Sequence, residues 1–154
     1  ADRLIAVQAA VSNTNEVVKL HMSTFNTGDH QLFHTGGRKS IEVKCTTLDD
    51  YFSPGSKVDV IKMDVQGAEE AAFIGMKRVL EENHNIQIIW ELSPSQLENA
   101  GSSASEVLHW LANLDFSFSS IDEAKQNLQV RTIEEILHAC PHDSFLNILS
   151  SRHG

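Results

Sequence analysis

The sequence predicts an α/β fold built around a mixed sheet, on three observations. Two apolar runs, residues 58–64 and 86–91, flank one segment of helical periodicity, the pattern of parallel neighbours joined by a crossover helix. Val18, Leu20 and Met22, and later Ile41, Val43 and Cys45, alternate with polar residues, the period of strands with one wet face. Ser103 with Glu106, and Thr132 with Glu135, each form the Ser/Thr-x-x-Glu pattern that opens a helix, and strand-like runs at 116–121 and 144–149 follow. The sum is strand, hairpin, then alternating helices and strands.

Taken in order, residues 4–11 are apolar except for Gln8 and read as a mostly buried strand. Ser12-Asn13-Thr14-Asn15 then makes a turn. The two alternating segments pair antiparallel across a long connection at 26–40, rich in Gly, Thr and His, and stand at the side of the main sheet. Thr47 to Phe52 forms a helical turn that Pro54-Gly55 breaks. After Gly67, Ala68, Ala72, Met76, Val79 and Leu80 keep helical spacing. Glu69 and Glu70 in the first turn, with Lys77 and Arg78 toward the end, complement the dipole of one continuous helix. The strand at 86–91 ends before Ser93-Pro94. Val107, Leu108, Leu111 and Leu114 form the inner face of the Ser103 helix. Ile133, Ile136 and Leu137 do so for the Thr132 helix, which Pro141 stops.

At 154 residues the length fits a single domain, 1–154, with one core. A formal charge of −9 argues against a nucleic-acid partner or an anionic membrane surface, because both need clustered Lys and Arg. No apolar run approaches the ~20 residues of a membrane span. Cys45 and Cys140 sit in a strand and at a helix end, where free thiols are commonly buried, and a reducing, cytoplasmic compartment is compatible with them. The eight histidines are dispersed and form no zinc pattern. No glycine-rich phosphate or dinucleotide loop and no Gly-x-Ser-x-Gly elbow occurs. The start at Ala1, directly before an apolar segment, reads as a cut inside a larger protein.

Chemistry concentrates at two strand ends. Ligands of open α/β sheets sit at the carboxyl ends of the strands, which places Asp64 and Glu91 where a reaction would occur. Strands lie about 4.8 Å apart, so carboxylates on neighbouring ends can share a proton, a hydroxyl or a cation. The plainer alternatives are that Asp64 caps the following helix and that Glu91 is a solvated loop residue. Lys62 shares a face with Val60 and Asp64. It reads as a structural ion pair in a buried strand, or as a group that positions substrate and tunes the carboxylates.

The segment Ile61-Lys62-Met63-Asp64-Val65-Gln66-Gly67-Ala68-Glu69 closely resembles the signature of the FkbM family of S-adenosylmethionine-dependent methyltransferases, Lys-hydrophobic-Asp-hydrophobic-Glu-Gly-Ala-Glu. Thr47-Leu48-Asp49-Asp50, Ala9-Ala10-Val11-Ser12 and Ile88-Ile89-Trp90-Glu91 resemble three more family segments in the same order. The resemblance covers roughly the first two thirds of the chain. It implies the Rossmann-like sheet of class I methyltransferases, with residues 1–12, 58–64 and 86–91 as its third, fourth and fifth strands.

By that resemblance Asp64 and Glu91 are the catalytic pair. Lys62, Gln66, Gly67, Glu69 and Ser12 lie near substrate or cofactor, and no metal is implied. The expected reaction is methylation of a hydroxyl on a small molecule or sugar, with a carboxylate orienting or deprotonating it. Gln66 departs from the family's usual Glu. The family's first strand, its glycine-rich cofactor loop and the acid ending its second strand have no counterpart, so the expected fold is N-terminally incomplete and the chain alone inactive. The competing expectation is a non-catalytic interaction module that keeps part of the methyltransferase fold; a weaker one is a divalent-cation site at Asp64 and Glu91. The exposed sheet edge left by the missing strands invites homodimerisation through the first strand.

Overall fold

A computed structural model describes residues 3–22 and 39–152. They form two sheets and six helices. The smaller sheet has the order β1-β3-β2, from Ala10–Val11 (β1), Val17–Met22 (β2) and Lys39–Thr46 (β3). The larger has the order β4-β5-β8-β6-β7, from Val60–Met63 (β4), Gln87–Leu92 (β5), Ser117–Asp122 (β6), Asn127–Arg131 (β7) and Leu146–Ser151 (β8). β4 and β5 are parallel, as their crossover requires, and every other pairing in this sheet is antiparallel. The sheet is therefore mixed, as the sequence predicts.

The alternating segments do pair antiparallel, with Val18 opposite Val43 and Leu20 opposite Ile41. They stand in a sheet of their own and not at the side of the main one. β1 joins them, parallel to β3, through Ala10 opposite Cys45. The long connection expected at 26–40 falls mostly on residues 26–38, outside those described, while Lys39 and Ser40 already belong to β3. The apolar stretch before β1 is not the buried strand expected. Leu4 is 83% exposed and Ile5 80%, and only Ala10 and Val11 pair.

Thr47 caps the short α1 (Leu48–Tyr51) by accepting from the Asp50 amide at 3.0 Å. The single helix expected after Gly67 is two: α2 (Glu69–Ile74) and α3 (Lys77–Glu82). The break falls at Gly75, where any Cβ would lie 2.0 Å from the Ser12 carbonyl oxygen. Asp49 of α1 takes over as the anchor of α3, its two carboxylate oxygens accepting from the Arg78 and Val79 amides, each at 2.9 Å. Lys77 and Arg78 thus start a helix instead of ending one, and Arg78 is tied to the Asp49 and Phe52 carbonyls.

The segment after β5 forms α4 (Pro94–Asn99), with Pro94 at the first position where its missing N–H costs nothing. α5 (Ala104–Ala112) starts at the predicted Ser103 cap, and α6 (Ile133–Ala139) at a complete capping box. In that box Thr132 Oγ1 accepts from the Glu135 amide at 3.2 Å, and the Glu135 carboxylate accepts from the Thr132 amide at 2.9 Å.

One face of the large sheet carries the core. Met63, Ile88, Trp90, Leu92, Phe118 and Ile148 join Phe73, Met76, Leu80, Leu108, Leu111 and Ile136 of the helices in one cluster. Trp90 meets Phe73 edge-to-face at 5.2 Å and donates from Nε1 to Ser150 Oγ at 2.9 Å, which satisfies its polar end. Both cysteines are buried and free. No described helix is long and apolar enough to cross a membrane. The opposite face of the sheet, which carries Lys62, Ile89 and Leu149, is only partly covered or exposed.

Candidate active site

The site lies on that second face, at the carboxyl ends of β4, β5 and β6. Register defines it. Met63 pairs with Trp90, so Asp64 and Glu91 stand one step beyond and share a row. Glu91 is opposite Asn147 on β8. Ser120 is opposite Ile148, which puts Ile121 next to Asn147. Asp64, Glu91, Asn147 and Ile121 thus run across four strands, with Lys62 and Ile89 in the row behind. They line a groove of about 390 Å³ to which Glu123 also contributes. Asn147 Nδ2 donates to Glu123 Oε1 at 2.9 Å.

Its electrostatics are those of crowded carboxylates. Burial pushes the Glu91 carboxyl up, the charge of Asp64 adds to this, and Lys62 opposes it. Lys62 is exposed and makes no ion pair among the described residues. The buried structural pair expected for it is absent because its face of the sheet is open, so the ammonium keeps its water.

Asp64 does not cap α2. The N-cap is Ala68, which makes no side-chain bond. Asp64 accepts instead from Gln66 Nε2 at 2.6 Å, and Gln66 Oε1 accepts from Gln96 Nε2 of α4 at 2.9 Å. Gln66 (φ 51°) and Gly67 (φ 98°) both lie in the left-handed region, which folds the chain back at the strand end. Glu69 holds this turn closed. Its Oε1 accepts from the Gly67 amide at 3.2 Å, while Oε2 is buried with no hydrogen-bond partner. Glu69 is only 3% exposed, and burial first, with Asp64 and Glu91 adding to it, pushes its carboxyl up to about 7.

The structure therefore brings Asp64, Glu91 and Lys62 to one groove, with Gln66 bonded to its edge and Gly67 and Glu69 supporting the turn. Ser12 is elsewhere. It lines a separate hollow of about 180 Å³ with Gly67, Ala68 and Ala100, where the buried Ser102 Oγ has no hydrogen-bond partner. A larger hollow of about 570 Å³ on the small sheet is lined by Val7, Leu20, Ile41 and Val43, with Gln8, Glu42 and Lys44 as its polar members. No group of three or more His, Cys, Asp or Glu able to hold a metal occurs among the described residues. Asn147, Glu123 and Gln96 reach the site without any local sequence signal. The first two arrive through the register of β8 and the β6–β7 turn.

Ligands of open α/β sheets bind at the carboxyl ends of the strands, where Asp64 and Glu91 stand. Comparison with known families resolves the class. Residues 2–118 match the methyltransferase FkbM domain, and the chain belongs to that methyltransferase family. No curated protein and no solved structure matches it.

Proposed function

We propose that this domain forms the acceptor side of an S-adenosylmethionine-dependent O-methyltransferase acting on a hydroxyl of a small molecule or sugar. The observation that carries the reading is the row of Asp64, Glu91 and Asn147 on the wall of an open groove, in a chain of the FkbM family. A hydroxyl bound there meets carboxylates able to accept its proton and an amide able to orient it. Glu91, whose carboxyl is pushed up by burial and by the charge of Asp64, is assigned to accept the hydroxyl's proton, and Asp64 to orient the hydroxyl. Bound S-adenosylmethionine would supply an electrophilic methyl group, and negative charge at the strand ends suits its sulfonium.

The fit to the donor is partial. Among the described residues no glycine-rich turn follows a strand, so no step is assigned to the donor's cradle. The Rossmann-like topology, the third-strand role of residues 1–12 and a cytoplasmic location belong to the same proposal, as does pairing of two copies along an open sheet edge.

The test is transfer of labelled methyl groups by the natural full-length protein to a panel of sugar and small-molecule alcohols. Labelled product that Asp64→Asn and Glu91→Gln each reduce by about a hundredfold supports the reading. A full-length protein with no affinity for S-adenosylmethionine overturns it. Gln66 favours a second reading, a non-catalytic interaction module, which that same absence of affinity would support.

A further inference from the structure

Asp64 is held by a relay that crosses between two elements. The carboxylate can only accept, so the amide nitrogen of Gln66 must face it, at 2.6 Å. That turns the Gln66 carbonyl outward, where Gln96 Nε2 meets it at 2.9 Å. Gln96 lies on α4, which begins just after β5, the strand that carries Glu91. The chain Gln96–Gln66–Asp64 thus ties the loop after β5 to the turn after β4, the two segments that present the carboxylates. It has a direction that the amide at position 66 provides. A glutamate there, when ionised, offers no donor to Asp64.

We propose that Gln66, oriented by Gln96, is a positioning residue that fixes Asp64 Oδ1 and leaves Oδ2 as the oxygen presented to the acceptor hydroxyl. The inference rests on the assignment of Asp64 to the acceptor side. The charged groups around Asp64 are Lys62 on its own strand, Glu69 on α2, Glu91 on β5 and Glu123 in the β6–β7 turn; none is bonded to its Oδ1. The relay therefore decides which way this carboxylate faces.

Two experiments separate the relay from the reaction. In the 154-residue chain, the side-chain amide protons of Gln66 should be shifted downfield and protected from exchange, and Gln96→Ala should remove most of that protection. Unprotected Gln66 amide protons, or protection that Gln96→Ala leaves unchanged, overturn the proposal whether or not the protein methylates anything. In the natural full-length protein, Gln66→Glu sets two carboxyls in contact and removes the donor to Asp64 Oδ1. Its kcat should fall about tenfold with the KM for the methyl donor unchanged, and its kcat–pH profile should gain a step the parent lacks. Glu is nearly isosteric with Gln, so the backbone at position 66 accepts either. Gln96→Ala, at a half-buried helix position, is the second variant and should lower kcat without that new step. A merely structural role would lower thermal stability and leave the shape of the profile unchanged, and that result also overturns the proposal.

Discussion

Gly75 is pressed against Ser12: a Cβ at position 75 would lie 2.0 Å from the Ser12 carbonyl oxygen and 2.9 Å from its carbonyl carbon. The contact joins the end of α2 to the turn after β1, and so links the small sheet to the helical layer. Backbone atoms cannot rotate away as a side chain can. Gly75→Ala should therefore cost at least the ~1–3 kcal/mol typical of overpacking, read as a lower urea midpoint with an unchanged slope. Gly55→Ala, where nothing lies within 4 Å, is a control that meets only the strain of its positive φ.

Glu69 makes stability fall as pH rises. Below the unfolded carboxyl's ordinary value of 4.5 both states hold the proton and the group contributes nothing. Between 4.5 and about 7 the unfolded chain releases the proton while the folded one keeps it, so stability declines; above about 7 the full penalty applies. The gap corresponds to on the order of 3 kcal/mol. Gln at this position keeps the acceptor for the Gly67 amide and does not titrate. The unfolding free energy of Glu69→Gln relative to the parent should thus rise between about pH 4 and pH 8. A difference that stays flat across that window would contradict the assignment.

Asp49 serves α3 with both oxygens. Asp49→Ala should destabilise by about 1–2 kcal/mol, the range for losing a helix cap, and should loosen amide protection at Arg78 and Val79 first. Asp49→Asn retains one acceptor and should cost less.

Arg152 straps the end of the large sheet. Its guanidinium donates to the carbonyls of Leu114 at 2.6 Å, Leu80 at 2.7 Å and Asn83 at 3.3 Å, and lies 4.2 Å over the Phe116 ring. Arg152→Lys keeps the charge but not the fork, so it should recover only part of the loss seen in Arg152→Ala. Thermal unfolding of the pair measures that split.

What was legible in the sequence is what is decided locally. The caps at Ser103 and Thr132 depend on residues three apart, and the strand ends at Asp64 and Glu91 follow from an apolar run meeting a polar turn. What was hidden depends on distant partners. The helix break at Gly75 is imposed by Ser12, so the apolar periodicity reads straight through it. The apolar run before β1 promises burial that no neighbour supplies among the described residues. β7 shows a real alternation, with Leu128 and Val130 against Gln129, yet both apolar residues are largely exposed and the run is only five residues long. α4 lies hidden behind Ser93-Pro94, which marks a strand's end as readily as a helix's first turn. In the site, two carboxylates were visible, whereas Asn147 and Glu123 enter only through the pairing of β8 and β6.

The place of β8 has a consequence for how the chain is made. It is the last strand among the described residues and sits in the middle of the five-stranded sheet, pairing with β5 on one side and β6 on the other. During synthesis the β4–β5 pair and the β6–β7 hairpin can each form, but no strand joins them until residues 146–151 have left the ribosome. The groove that Asn147 completes is thus assembled last, by the segment that also closes the sheet. Nascent chains halted before Leu146 should expose both halves to chaperones, and chains released beyond Arg152 should not.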